Sequence, residues 1–343
     1  MGVILGVRPF GLRAVGAALY TALAQKLTTF VKRFCASVTL AILTMLSHAE
    51  SLAWITNQGS NSVSVVDVGA GRVINTVPVG HSPAGIAVDS LHERAYVTNP
   101  DSHDVSVINT HTQQVVATVA VGGGPVGLAL SPDGAALYVA DWYNAQVIAI
   151  NTHTLQISAR IAVGQSPAGL VVSSTGAAVY VANRDNNSVG VIDVGAAAQV
   201  AEIAVGQHPF GLALSHDGRL LYAVNVLSND LSVVNLQERK EVKRIAVGES
   251  PYCVLVDEGR ERLYVTNQHA DTISVVDSRA REVVATMKVG GYPEGVALVG
   301  DTLLVVQWMD DELSVWDLHS LKSLRRIAVG HNPRGFGQFI STQ

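Results

Sequence analysis

Residues 163–170 read Val-Gly-Gln-Ser-Pro-Ala-Gly-Leu (VGQSPAGL), which first suggests a glycine-rich loop bent around a phosphate. Near-copies begin at Val79 (VGHSPAGI), Val121 (VGGGPVGL), Val205 (VGQHPFGL), Val247 (VGESPYCV), Val289 (VGGYPEGV) and Val329 (VGHNPRGF). Their prolines stand at 83, 125, 167, 209, 251, 293 and 333, a spacing of 42 repeated five times and then 40. A residue that recurs at a fixed interval has a recurring structural duty, so the motif reads as a joint. In it, Gly164 and Pro167 are expected to turn the chain, and Gly169 to let backbones crowd together.

Three further elements recur between the prolines. The first is WITN (54–57), YVTN (96–99), YVAD (138–141), YVAN (180–183), YAVN (222–225), YVTN (264–267) and VVQ (305–307). The next runs from SVSVVD (62–67) and DVSVIN (104–109) to ELSVWD (312–317), and the last, such as VVATVAVG (115–122), leads back to the joint. Each segment is short, alternating or β-branched, and bounded by turn residues, which is the pattern of strands. Four strands per period of about 42 residues make a propeller blade. The expected fold is therefore all-β, a seven-bladed β-propeller with four-stranded blades.

The phase of the repeat predicts how the ring closes. The chain supplies a second, third and outer strand first (Ala53 to Val79) and an inner strand last (Gly335 to Ile340). These should pair as one composite blade. The turns Ser131-Pro-Asp-Gly134, Ser173-Ser-Thr-Gly176 and Ser215-His-Asp-Gly218 suit type I turns ending in glycine. Gly300-Asp301 shortens the equivalent hairpin and accounts for the single spacing of 40.

With these tetrads, joints and turns, the chain from about Ala53 onward resembles the YVTN-family β-propeller repeat proteins, the YncE-like group. The resemblance implies an exported or surface binding module and brings no shared catalytic motif.

Composition agrees with many short strands: 48% of residues are apolar, 6% aromatic and 15% charged, with 31 glycines. Residues 1–49 hold five basic residues and no acidic one, so the remainder carries a net −10. A body that acidic disfavours nucleic acid as the main partner. Lys32-Arg33, the apolar run Phe34–Leu46 and Ser47-His48-Ala49 read as the parts of a secretory signal peptide. Thirteen apolar residues are too few for a bilayer, which takes ~20. The expected division is thus an N-terminal extension with signal peptide over 1–49 and one propeller domain over 50–343, periplasmic or secreted, with no transmembrane segment after cleavage. Residues 1–30 precede that signal, which fits translation starting near Leu27 or Val31.

Motifs for covalent haem, zinc proteases, P-loops and the hydrolase elbow are absent, and no cofactor is expected. Chemistry is then sought where the repeat varies. The residues after the joint prolines are Ala84, Val126, Ala168, Phe210, Tyr252, Glu294 and Arg334. The loops after the tetrads add Trp142, Trp308 and Asp310 on the same face. Phe210, Tyr252, Trp308 and Trp142 would stack on a ligand at the channel mouth, with Glu294, Arg334 and Asp310 as polar contacts. Alternatively, Glu294 and Arg334 simply pair and the aromatics fill loops.

His81 and His331 fall on neighbouring joints once the ring closes, but a metal needs three or four converging ligands, and solvated histidine is the simpler reading. Cys253 replaces a joint glycine, with His208 on the preceding joint as a conceivable base; a buried, space-filling thiol is the simpler reading. The expected function is recognition of a protein partner or small ligand in the cell envelope. The alternative is a propeller enzyme of lactonase or lyase type working at the channel mouth.

Overall fold

The computed structural model describes Gly2 and residues 51–342, so the N-terminal extension and signal peptide lie outside the described residues. Residues 51–342 form seven antiparallel sheets, each with a core of four strands. We number the blades from the N-terminus and name their strands inner, second, third and outer. In blade 2 these are Gly85–Asp89, Arg94–Asn99, Asp104–Asn109 and Gln114–Ala120. The inner strands of blades 3 to 7 begin at the joint prolines Pro125, Pro167, Pro209, Pro251 and Pro293.

Burial follows strand position. Second strands such as Leu263–Asn267 are buried on both faces, because neighbouring blades sandwich each sheet. Outer strands alternate with solvent and commit one side chain each near their end: Val77, Val119, Ile161, Ile203, Ile245, Met287 and Ile327.

The tetrad Asn explains the recurring motif. Asn57 donates to Ser62 and Ser64 Oγ (3.1 and 2.9 Å), while its Oδ1 accepts from the Gly330 N–H (3.1 Å). Asn267 does the same with Ser274 and Gly248. The tetrad Thr ties blades together: Thr56, Thr98 and Thr266 donate to the carbonyls of Ala84, Val126 and Glu294 on the next blade (2.9, 2.7 and 3.0 Å).

The joint glycines divide their duties differently from the expectation. Gly164 does not take a left-handed conformation; the residue that does is Ser166 (φ 51°). Gly164 is glycine because a Cβ there would lie 2.6 Å from the Asn183 side chain. Gly127, Gly169 and Gly211 do hold the close approach: a Cβ would fall 2.2–2.4 Å from the carbonyl oxygens of Ala168, Phe210 and Tyr252.

Blade 1 is composite, with Ser51–Asn57, Ser62–Asp67 and Arg72–Pro78 completed by the C-terminal segment. That inner strand is broken. Pro333–Arg334 and Ile340–Thr342 pair with Ser51–Asn57, whereas Phe336–Gln338 leaves it and pairs in parallel with Gly85–Asp89 of blade 2. Gly337 permits this excursion through its φ of 117°, with Ile86 O only 2.3 Å from where a Cβ would stand. Trp54 locks the closure, its amide donating to Phe339 O (2.8 Å) and its indole to Ser341 Oγ (2.9 Å).

Candidate functional site

In blades 3 to 7 the inner strand slips register between the proline and the residue three positions on, for example between Pro167 and Leu170. This one-residue bulge carries the variable residue after the proline, and a bulge re-aims the side chain it holds. The chain thus repeats a bulge around the axis and changes only what stands on it.

A cavity of about 650 Å³ opens at this face. Its lining takes Ala84, Val126, Phe210, Tyr252, Glu294 and Arg334 from the ring of residues that follow the joint prolines. A second ring, the residue after each tetrad, contributes Gln58, Pro100, Trp142, Gln268 and Trp308. Val126, small and half-buried, leaves one side of the mouth open, whereas Phe210 and Tyr252 are large and buried. Six of the seven residues expected at the mouth are therefore brought to one cavity.

Phe210 and Tyr252 stack with ring centroids 4.2 Å apart and planes at 28°. Phe336, thrown into the channel by the break in the closing strand, lies 5.0 Å from Phe210 and 5.7 Å from Tyr252. These three rings make a floor. Below it lies a separate cavity of about 560 Å³, lined by the inner strands and by Cys253. Trp142, 6.3 Å from Phe210, and Trp308, 5.6 Å from Tyr292, raise aromatic sides above the floor. The Arg184 guanidinium covers the Trp142 ring at 5.6 Å, a cation–π contact.

The polar edge centres on Glu294, 1% exposed. Gln268 Nε2 donates to Glu294 Oε1 at 3.0 Å. Arg334 Nε stands 3.5 Å from Glu294 Oε2, and Arg334 Nη1 donates to the Tyr252 hydroxyl at 3.4 Å. The pair is loose: Glu294 Oε2 and Arg334 Nε are both buried without a hydrogen-bond partner. Burial pushes the Glu294 carboxyl up to about 7, outweighing the opposing pull of Arg334. Burial, and then the Glu294 charge, hold the Tyr252 phenol well above its usual range. The pairing alternative raised by the sequence is thus present, yet the pair remains in the cavity wall.

Asp310 is not part of this lining. Its Oδ2 accepts from the Gly291 N–H (2.8 Å) and from Gln307 Nε2 (3.0 Å), which makes it a cap for the joint. Ser60, Ser102, Asn186 and Ser228, three residues after their tetrads as Asp310 is, cap joint amides in the same way. That common spacing is the signal that separates it from the cavity residues.

Sequence reasoning missed Gln58, Gln268 and Tyr292. The first two share the position of Trp142 and Trp308 after the tetrad. Phe336 carried no signal, because its strand reads as continuous.

His331 is exposed and engages Asp311 (Nδ1 to Oδ2 2.8 Å), while the His81 amide donates to Ser102. Among the described residues no three His, Cys, Asp or Glu side chains converge on a metal position. Cys253 is buried, with its thiol raised by burial and then by Glu294; His208 faces Asp185 at 4.0 Å instead. An unactivated thiol is a poor nucleophile.

A family model described as "Lactonase, 7-bladed beta-propeller" matches residues 110–256, a stretch that includes Trp142, Phe210 and Tyr252 but stops short of Glu294, Trp308 and Arg334. No curated protein matches the chain significantly in sequence. Among solved structures the chain is similar to a functionally unknown protein from Desulfotomaculum acetoxidans (16% identity, 85% of this chain and 98% of that one, TM-score 0.72). It is also similar to Kuenenia stuttgartiensis hydrazine synthase (20% identity, 73% and 87%, TM-score 0.65). A third similar structure is dihydro-heme d1 dehydrogenase NirN in complex with DHE (18% identity, 85% and 75%, TM-score 0.65). At these identities the likeness concerns the fold, and the chain is an all-β, seven-bladed propeller with four-stranded blades.

Proposed function

We propose that the protein is an exported binding propeller of the YncE-like kind that holds a small organic ligand at the channel mouth. The observation that carries this is the cavity of about 650 Å³, in which aromatic faces surround a buried Glu294 loosely paired with a half-buried Arg334. Ligand sites are concave, mostly apolar and fixed by a few polar groups. A recess of this depth favours a small ligand over a flat protein surface as the occupant.

The test is a thermal-shift and tryptophan-fluorescence screen of the purified protein against a broad panel of small organic compounds, with Val126→Trp as the filled-cavity control. Compounds that raise Tm in the wild type and not in the control uphold the reading. A panel in which no compound separates the two proteins removes it.

The lactonase-type alternative is favoured by one family match and by a carboxyl near 7, the range in which a general acid or base operates. In that case lactone opening, followed as acid release, is abolished by Glu294→Gln while Tm is kept. Turnover that survives this substitution excludes Glu294 from the chemistry.

A further inference from the structure

Arg334 and Glu294 differ in one respect that decides what the cavity can hold. The guanidinium cannot be discharged in a protein, whereas the carboxyl can take a proton. The polar edge therefore has an obligatory positive charge and an optional negative one. Arg334 is also short of acceptors: its Nε has no hydrogen-bond partner, and Nη1 reaches the Tyr252 oxygen only at 3.4 Å. A half-buried guanidinium left this way favours a planar anion, which it can grip with two parallel N–H donors. Trp142, Trp308, Tyr292, Phe210 and Tyr252 around it offer flat apolar faces.

Building on the small-ligand reading, we propose that the mouth cavity binds an aromatic carboxylate, its ring against the tryptophan-lined walls and its carboxylate on Arg334 in place of Glu294. The entering anion would stand beside the Glu294 carboxylate, and like charges at that distance in a buried site do not both persist. Glu294 therefore takes up a proton as the ligand enters, and its protonated carboxyl can then donate to the ligand.

The groups that face Glu294 are few. Arg334 comes from the closing segment, and Tyr252 and Cys253 from the blade 6 inner strand. Tyr292 lies on its own joint, and His269, which contacts the Tyr292 hydroxyl at 3.3 Å, comes from the blade 6 loop. Asp101 also lines the cavity but is engaged with Ser82 Oγ at 2.5 Å. Tyr252, Tyr292 and Cys253 are raised and stay neutral near pH 7, which leaves Glu294 and His269 as the groups to separate.

The experiment is isothermal titration of the purified protein with benzoate, 1-naphthoate and indole-3-acetate, each beside its neutral amide, at pH 6 and pH 8.5. Buffers of different ionisation enthalpy report proton uptake. At pH 6 the acids should bind at least about tenfold tighter than the amides, the size expected of a hydrogen-bonded charge. Their affinity should fall by roughly tenfold or more by pH 8.5 as protonation of Glu294 becomes unfavourable. Glu294→Gln should bind the acids at pH 8.5 as the wild type does at pH 6 and lose proton uptake, while His269→Asn should keep both. Arg334→Gln should bind acid and amide alike; if it does not fold, the Glu294→Gln and acid–amide comparisons still decide.

Amides that bind the wild type as tightly as the acids overturn the anion proposal and leave the small-ligand reading standing. No binding by either set, with hits among unrelated compounds in the broad panel, does the same. No binding in either panel removes both.

Discussion

Blades 2 to 4 and blades 5 to 7 share the same four-strand plan, yet after their joint prolines they carry Ala84, Val126 and Ala168 on one side and Phe210, Tyr252 and Glu294 on the other. The backbone is constant and the cargo is not. Residues that recur around the ring hold blades together, whereas the two varying positions, after the proline and after the tetrad, decide where the channel mouth is open, flat or charged. Loops and bulges on a rigid frame are where function concentrates, and this ring separates the two roles residue by residue.

The sharpest way to break the comparison is to change a recurring position. Gly211→Val places a side chain against the Tyr252 carbonyl, 2.4 Å from its Cβ, and no flexible group can yield. The expected cost is about 3 kcal/mol or more, a fall in Tm of roughly 6–12 °C by thermal denaturation. A Tm within a degree or two of wild type would mean that inner strands can spread, contrary to the packing described.

Next in size is the charge at a varying position. Glu294 titrates at about 7 folded against 4.5 unfolded, so the native state holds its proton more tightly between those values. Stability from this group is full below about pH 4.5 and is lost as pH rises through 7, by up to about 3 kcal/mol. Glu294→Gln should match the wild type in acid and exceed it at pH 8; denaturant titrations across pH give the difference. Parallel curves for the two proteins would show that Arg334 holds the carboxylate ionised.

The inter-blade hydrogen bonds come third. Thr98→Val removes the donor to Val126 O and the acceptor for the Gly85 amide. A loss of about 1–3 kcal/mol is expected, because the buried partners are left unsatisfied. Ala140 and Ala182 occupy the same place in blades 3 and 4, so a loss near zero would mean that blade 2 tolerates the alanine solution as well.

The smallest effect on stability is expected at the open side of the ring. Val126→Leu enlarges a half-buried side chain on the cavity wall and should change stability by no more than about 0.5 kcal/mol while reducing ligand response. A large destabilisation there would mean that the cavity is narrower than its lining indicates.

Seven blades, four strands each, and the composite closure were legible because a repeated pattern averages over local exceptions. The cavity was legible for a related reason: Phe210, Tyr252, Glu294 and Arg334 stand where other repeats have small residues. What repetition conceals is any departure that keeps the strand pattern. The segment Arg334-Gly-Phe-Gly-Gln338 looks like its six relatives, and only Gly337 at φ 117° and the pairing with Gly85–Asp89 show that the strand leaves its sheet. Asp310 misled in the opposite direction, since an acidic residue in a mouth loop attracts attention although a capping oxygen was all its position required. The strained turning residue at Ser166 and the steric duty of Gly164 depend on where Asn183 points, which spacing does not convey.

The closing segment has a consequence in time. Arg334 and Phe336, which supply the charge and the floor of the mouth, reach their places only by pairing with strands made about 280 and 250 residues earlier. A chain cut before Pro333 lacks both residues and has no complete site to offer. Ligand binding thus reports that the first and last strands of the ring have met.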